Sequence, residues 1–332
     1  MIATYDGPID RRLIAGVDVG GTKTSVVVTD DQDRVLYEMV APTDTSAVVD
    51  QIARLVNAAR RQLRQEFAAV GVAIPGHVDS KNGSVSMAVN LGITNHLPIG
   101  PLLQTELGVP TFVEHDARAA ALWLSGRPGN GNGSASVAFL AIGTGISAGV
   151  VLEGEMLRGA NGFAGEVGHV VADPDGYLCA CGLRGCLETI AAGPAIGRQA
   201  NEAIAAGRST VLPANPSAAD VFKAGSAGDE LAAEITDRVA DHLARAIRSL
   251  ALTLGVKRVV IGGGVAAAGL ALLEPIQLRI ARERAASPLV EAALSDATVE
   301  LLPPSEAPGA RGAAVIARQR IGLPTGEGVG ER

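Results

Sequence analysis

A short pattern occurs twice in this chain, and it constrains the fold more than any other feature. An apolar run ends in a Gly-Thr turn, and a second apolar run follows at once. The first copy is Val17, Asp18, Val19, Gly20, Gly21 and Thr22; the second is Leu140, Ala141, Ile142, Gly143 and Thr144. Short apolar, β-branched runs broken by Gly or Asp read as strands. Two halves that each open with strand, turn and strand point to a duplicated α/β unit. With 332 residues the chain has room for two domains, each with a sizeable core.

The elements around the two copies follow the same reading. Strands are predicted at 13–19, 24–29 and 34–40, followed by a helix on which Val48, Ile52, Leu55, Val56 and Leu63 recur at helical spacing. A strand at 70–74 stops at Pro75-Gly76, and a strand at 111–114 feeds a helix beginning near Asp116. The Gly/Asn/Pro/Ser stretch at 127–134 reads as a flexible loop and a domain boundary. Beyond it come strands at 137–142 and 148–152, then a long helix marked by Ile235, Val239, Leu243, Ala246, Ile247 and Leu250. A strand at 258–261 runs into Gly262-Gly263-Gly264, a strand follows at 298–302 and a helix at 312–320, and the last residues, 322–332, are expected to fray. Strands alternating with helices give the α/β class. The expected division is a first domain over 1–124, completed by the C-terminal helix at 311–332, and a second over 125–310.

Composition excludes several classes. The chain is 47% hydrophobic and 3% aromatic, a globular profile built largely from small aliphatic side chains. No apolar run reaches 18 residues without Gly or charge, so no membrane span is expected. The first dozen residues carry acids and lack an apolar core, unlike a signal peptide, and the expected location is the cytoplasm. The net charge is −7 with no Lys/Arg-rich block, which argues against a nucleic-acid partner.

Four segments could carry chemistry. Asp18 to Thr24 joins two strands; its glycines let backbone N–H groups approach a phosphate, Thr22 and Thr24 add hydroxyls, and Asp18 could hold a water-bound Mg²⁺. The spacing is not that of a P-loop, and taken alone the segment reads equally as a Gly-rich hairpin. Gly143-Thr144-Gly145 repeats the theme, and Gly263 and Gly264 suit close approach to a ligand or merely a tight strand-to-helix turn. Asp116 opens a helix, where an Asp is commonly an N-cap; the alternative role is a general base aimed at a sugar hydroxyl. His169, Cys179, Cys181 and Cys186 form a Cys₃His set suited to a closed, structural Zn²⁺ site that would present Glu166 and Glu188 to one cavity. Carboxylates can accept hydrogen bonds from vicinal sugar hydroxyls.

Several separated segments together resemble the ROK family of repressors and sugar kinases. They are the residues at 18–24, Ile74 to Asp79, Asn90-Leu91-Gly92, Glu114 to Leu122, 143–145, Ala164 to His169, Cys179 to Glu188 and Ile261 to Ala266. The resemblance covers almost the whole chain. It implies an actin-like ATPase fold, a duplicated ribonuclease H-like arrangement of two α/β domains with a central cleft. It implies ATP with Mg²⁺ at Asp18, Gly20, Gly21, Thr22, Lys23, Thr24, Gly143, Thr144 and Gly145, and adenosine at Gly263 and Gly264. It makes Asp116 the catalytic base and places a hexose against Gly76, Asn90, His115, Asp116, Glu166, His169 and Glu188. It also implies zinc on His169, Cys179, Cys181 and Cys186, and a homodimer or homotetramer. Two positions depart from the family pattern. His115 stands where Asn is usual, and Ile93-Thr94 follow the Asn-Leu-Gly segment where an aromatic is usual. Both bear on sugar preference.

The expected function is therefore phosphorylation of a hexose by ATP, at the 6-hydroxyl of glucose or of a glucose-like amino sugar (N-acetylglucosamine, N-acetylmannosamine or kanosamine). A sugar-sensing regulator of the same family is the alternative. Repressors of this kind carry a winged helix before the first strand, and here about a dozen residues precede Leu13, against the roughly 50 a small domain needs.

Overall fold

The computed structural model describes residues 13–127 and 136–323, with the side chain of Pro304 excepted. The first dozen residues, most of the loop expected at 127–134 and the end of the tail lie outside the described residues. In chain order the strands are β1 (Ile14–Val19), β2 (Lys23–Thr29), β3 (Val35–Pro42), β4 (Ala69–Ile74), β5 (His77–Asp79), β6 (Ser84–Ser86), β7 (Thr111–His115), β8 (Val137–Ile142), β9 (Ile146–Leu152), β10 (Glu155–Met156), β11 (Arg258–Gly262) and β12 (Thr298–Leu301). The helices are α1 (Val48–Leu63), α2 (Ile99–Leu107), α3 (Asp116–Ser125), α4 (Glu188–Ala191), α5 (Gly193–Ala205), α6 (Ala218–Ser226), α7 (Glu230–Leu254), α8 (Leu270–Ala286), α9 (Pro288–Leu294) and α10 (Pro308–Arg320). The chain divides into two compact units. One comprises Met1–Arg127, Gly154–Phe163 and Ala307–Arg332; the other comprises Pro128–Glu153 and Ala164–Glu306.

The first unit is built on a sheet of order β3-β2-β1-β4-β7. β1 and β2 pair antiparallel around the first Gly-Thr turn, whereas β4 and β7 are added parallel. Side chains alternate across a strand, and β1 shows the consequence. Ala15, Val17 and Val19 face a core shared with Ile52 and Val56 of α1 and Leu103 of α2. Ile14 faces the opposite way, toward Ala314 and Ala317 of α10. On that face α10 comes very close. A Cβ at Gly16 would lie 1.9 Å from Ala310 O, and one at Gly71 would lie 1.8 Å from Ala313 O. The high Ala and Gly content thus has a structural use, since backbone meets backbone where larger side chains would hold helix and sheet apart.

The second unit repeats the plan. β8 and β9 pair antiparallel around the second Gly-Thr turn, and β11 and then β12 are added parallel, giving the order β9-β8-β11-β12. The predicted long helix is α7, whose Ile235, Val239, Leu243, Ile247 and Leu250 are buried. α7 packs against α5, α6, α8 and α9. Its first turn is capped by the Asp229 carboxylate, which accepts the Ala232 N–H at 2.9 Å. The matching strand orders bear out the duplicated α/β fold.

Candidate active site

The first Gly-Thr turn is closed by a hydrogen bond from Gly20 N to Lys23 O at 2.9 Å, and Thr22 and Lys23 are exposed at its tip. Thr24 differs from the expectation that its hydroxyl lines a ligand. It is fully buried, and its Oγ1 lies 3.0 Å from Thr43 Oγ1, which donates to Gly20 O at 2.7 Å. Thr24 braces the turn from beneath. Asn90 packs against the turn, so that a Cβ on Gly21 would stand 3.2 Å from Asn90 Cβ. Gly76 follows β4 in the same unit.

Two carboxylates of this unit repel each other. Burial pushes the Asp18 carboxyl up to about 7, Asp116 adds to the shift, and Lys23 opposes it. Asp116 is the first residue of α3, directly after β7. The N-cap position belongs to His115, whose side chain makes no capping hydrogen bond. Asp116 Oδ1 accepts the Ala117 N–H at 2.6 Å, and its side chain remains 30% exposed. Its carboxylate is therefore not used as a cap of the usual kind, which would serve the second or third N–H of the helix. His115 Nδ1 lies 3.2 Å from Asp116 Oδ1, with the imidazole buried.

Beneath this junction lies a buried ion cluster that reading the sequence alone did not identify. The Glu114 side chain is 1% exposed; its Oε1 accepts from Arg118 Nε at 2.8 Å and from His115 N at 2.9 Å, and its Oε2 accepts from Arg158 Nε at 2.8 Å. Burial alone would raise the Glu114 carboxyl, but the charges of Arg118 and Arg158 hold it below its usual value. One signal was available. Glu114 and Arg118 are four residues apart, one helical turn, in an otherwise apolar segment.

In the second unit, the Gly143 N–H donates to Gly145 O at 2.9 Å, and Thr144 is exposed between them. Gly193, the first residue of α5, donates its N–H to Gly143 O at 2.8 Å. Gly263 has φ 86° and is pressed on the backbone that enters the turn, where a Cβ would lie 2.4 Å from Ile142 O. Gly264 is placed beside the same turn, its N 4.0 Å from a Cβ built on Gly143. The structure thus gathers Gly143, Thr144, Gly145, Gly263 and Gly264 in one place. Glu188 joins them, because its Oε2 accepts the Ile146 N–H at 3.1 Å.

The Cys/His cluster is compact. The ligand atoms of His169, Cys179, Cys181 and Cys186 all lie within 4.8 Å of one another. Cys181 Sγ and Cys186 Sγ are 3.6 Å apart, as are Cys179 Sγ and His169 Nδ1. Tetrahedral zinc with bonds of about 2.0–2.3 Å needs ligand separations of about 3.5–3.8 Å, so the donor set fits. Burial and the neighbouring thiols push the Cys186 thiol up to about 12, and a bound cation is the ordinary means of keeping such a group as thiolate. The turn that brings the ligands together is closed by Cys179 N to Leu183 O at 2.8 Å and Gly182 N to Cys179 O at 2.9 Å. Glu166 precedes the short 3-10 turn Val167–His169, and Ala148 N donates to Gly165 O at 2.7 Å, laying this segment along β9.

Comparison with known proteins follows the same lines. The ROK family profile matches residues 14–320. A glucokinase from Thermotoga maritima is 33% identical over 320 residues, 93% of this chain and 98% of its own. An N-acetylmannosamine kinase from Citrobacter koseri is 33% identical over 252 residues, 75% of this chain and 82% of its own. The crystal structure of a ROK family glucokinase from Streptomyces griseus in complex with glucose and AMPPNP aligns with a TM-score of 0.76 at 30% identity, over 92% of this chain and 99% of that one.

Proposed function

The chain belongs to the ROK family and is a sugar kinase; from that premise we propose that it moves the γ-phosphoryl group of ATP onto the 6-hydroxyl of glucose or of a glucose-like amino sugar, with Asp116 as general base. The observation that carries this reading is the Asp116 carboxylate, which is partly exposed at the start of α3 and not spent on a cap. A sugar hydroxyl is a very weak acid, so Asp116 accepts its proton late, as the new bond to phosphorus forms.

The remaining roles follow from chemistry and placement. In this reading the exposed tips of the two Gly-Thr turns, with Lys23, hold the phosphates of ATP through backbone N–H groups and one ammonium. Mg²⁺, held in its hydration shell near Asp18, supplies charge neutralisation on those phosphates. Gly263 and Gly264 face adenosine. Gly76, Asn90, His115, Glu166, His169 and Glu188 contact the hexose. The zinc site is closed and structural; His169 offers it Nδ1, which leaves the proton on Nε2 to donate to a sugar hydroxyl. His115 is bulkier than the family's usual Asn and lies beside Asp116, which makes it the residue to watch for an amino group at C2 or C3.

The test is ADP release with ATP-Mg²⁺ against glucose, mannose, fructose, glucosamine, N-acetylglucosamine, N-acetylmannosamine and kanosamine, for the wild type and Asp116→Asn. One sugar should stand out in kcat/KM, and the variant should keep sugar binding while turnover falls at least about a hundredfold. Near-normal turnover in Asp116→Asn would remove the base assignment. Silence on every sugar would move the reading to a sensor or to another phosphoryl donor.

A further inference from the structure

We propose that Arg158 is a positioning residue for Asp116, acting through the buried carboxylate of Glu114; the inference rests on the reading of Asp116 as the base. Arg158 is far from Asp116 in sequence. It is carried by the excursion Gly154–Phe163, which belongs to the first unit although it is flanked in sequence by segments of the second. There its guanidinium Nε donates to Glu114 Oε2 at 2.8 Å. The other oxygen, Oε1, takes Arg118 Nε at 2.8 Å and the backbone N–H of His115 at 2.9 Å. Glu114 thus fixes the Glu114–His115 peptide, one peptide removed from the base, and the two arginines fix Glu114.

The excursion is tied down at more than one point. Arg118 Nη1 donates to Gly162 O at 3.0 Å, so both arginines link α3 and the end of β7 to this stretch. Farther along, the His77 ring stacks on Phe163 with centroids 4.3 Å apart, and its Nε2 lies 3.0 Å from Asn161 O. The result is a strap held at Glu114 and Arg118, on the strand-to-helix junction that leads into Asp116, and again at His77 of β5. The side chain of Glu114 is 1% exposed, so it cannot exchange these partners for water. Without Arg158 the carboxylate keeps, among the described residues, Arg118 as its one charged partner, and Arg118 sits on the same helix as Asp116 and reaches the excursion through the Gly162 carbonyl alone. Arg158 is the charged partner of Glu114 that the excursion itself carries. General-base catalysis is sensitive to such reference, since a misplacement of about 1 Å can cost about a hundredfold.

The experiment compares wild type, Arg158→Ala and Arg158→Lys in steady-state kinetics, with thermal melts and hydrogen exchange on each. Arg158→Ala should lose about ten- to a hundredfold in kcat, with KM for sugar and ATP nearly unchanged. Arg158→Lys, which keeps the charge but not the planar fork, should recover part of it. The His115 amide should exchange faster in Arg158→Ala while amides of β1 and β2 do not. A kcat within about twofold of wild type would overturn the proposal. So would a parallel loss of kcat and both KM values that tracks the fraction unfolded, because that is the pattern of a merely structural residue. Should Arg158→Ala not fold, Arg158→Lys decides alone, a fall in kcat at constant KM supporting the proposal and an unchanged kcat overturning it. A wild type inactive on every sugar would sink the function proposed above, and the exchange rate of the His115 amide would still decide whether Arg158 holds the junction.

Discussion

At the end of β1 the Asp18 carboxyl lies against the first turn of α10, close enough that a Cβ on Gly309 would stand 2.6 Å from Asp18 Oδ2. A helix N-terminus favours an anion, yet burial and the charge of Asp116 outweigh it and push the carboxyl up to about 7. The sign of the consequence is fixed by linkage. An acid raised in the folded state stays protonated there after the unfolded chain has ionised. Below the ordinary value of 3.8 the group costs no stability; between 3.8 and about 7 the penalty grows, and above about 7 it is complete. In ligand-free protein, Asp18→Asn should therefore raise Tm by at least about 2 °C when measured near pH 8, and the gain should vanish near pH 4. A gain that is the same at both pH values would show that ionisation of Asp18 is not its source. Asp18 and Asp116 were both legible as candidates because each follows an apolar strand at a turn or a helix start. Thr24 was not, because its hydroxyl turns inward to Thr43, a partner 19 residues away that no local pattern announces.

Among the elements, α10 shows what the sequence conceals. Its helical span was readable, though it begins at Pro308 rather than near 312. Its packing was not, because a helix made of Gly309, Ala310, Gly312, Ala313 and Ala314 has little apolar periodicity to read. What selects its place is the pair of glycines at matching positions of β1 and β4, Gly16 and Gly71, which are partners in the sheet register. The longer strands were legible because most are short aliphatic runs bounded by Gly, Asp or Pro, whereas β5, β6 and β10, of two or three residues each, are too short to show a pattern. The excursion Gly154–Phe163 was not, since its place in the first unit is set by Arg158 and Arg118 and not by any local propensity. Gly71→Val tests the close approach. The added Cβ would lie 1.8 Å from the Ala313 carbonyl, a backbone atom that cannot move without the helix. Denaturant unfolding should show a loss of about 3 kcal/mol or more. Gly126→Ala is the control, because its nearest contact is Trp123 O at 3.7 Å, and it should stay within about 0.5 kcal/mol of wild type. Equal stability of the two variants would refute the packing argument.

On the scale of the whole molecule, the duplicated plan places a Gly-Thr turn between the first two strands of each unit, and the second unit adds what the first lacks. The Cys/His cluster and the loop it would staple fall wholly within Ala164–Glu306. That loop is held by backbone hydrogen bonds more than by apolar burial. Leu178 and Leu183 are largely exposed, while Ala172 N and Asp173 N donate to Gly185 O at 2.7 and 3.0 Å and Gly185 N donates to Tyr177 O at 2.8 Å. A closed four-ligand zinc site supplies folding free energy directly in such a segment. Metal analysis of purified protein should therefore find about one zinc per chain. Stripping it with a strong chelator should speed amide exchange first across residues 164–192, which carry Glu166, His169 and Glu188, and should raise KM for sugar more than KM for ATP. Cys181→Ser, which removes the most exposed ligand of the set, should lower zinc affinity and reproduce the same pattern. Metal-free protein with unchanged exchange across 164–192 and an unchanged sugar KM would mean that the cluster does not order the loop, and the role given to zinc would have to be withdrawn.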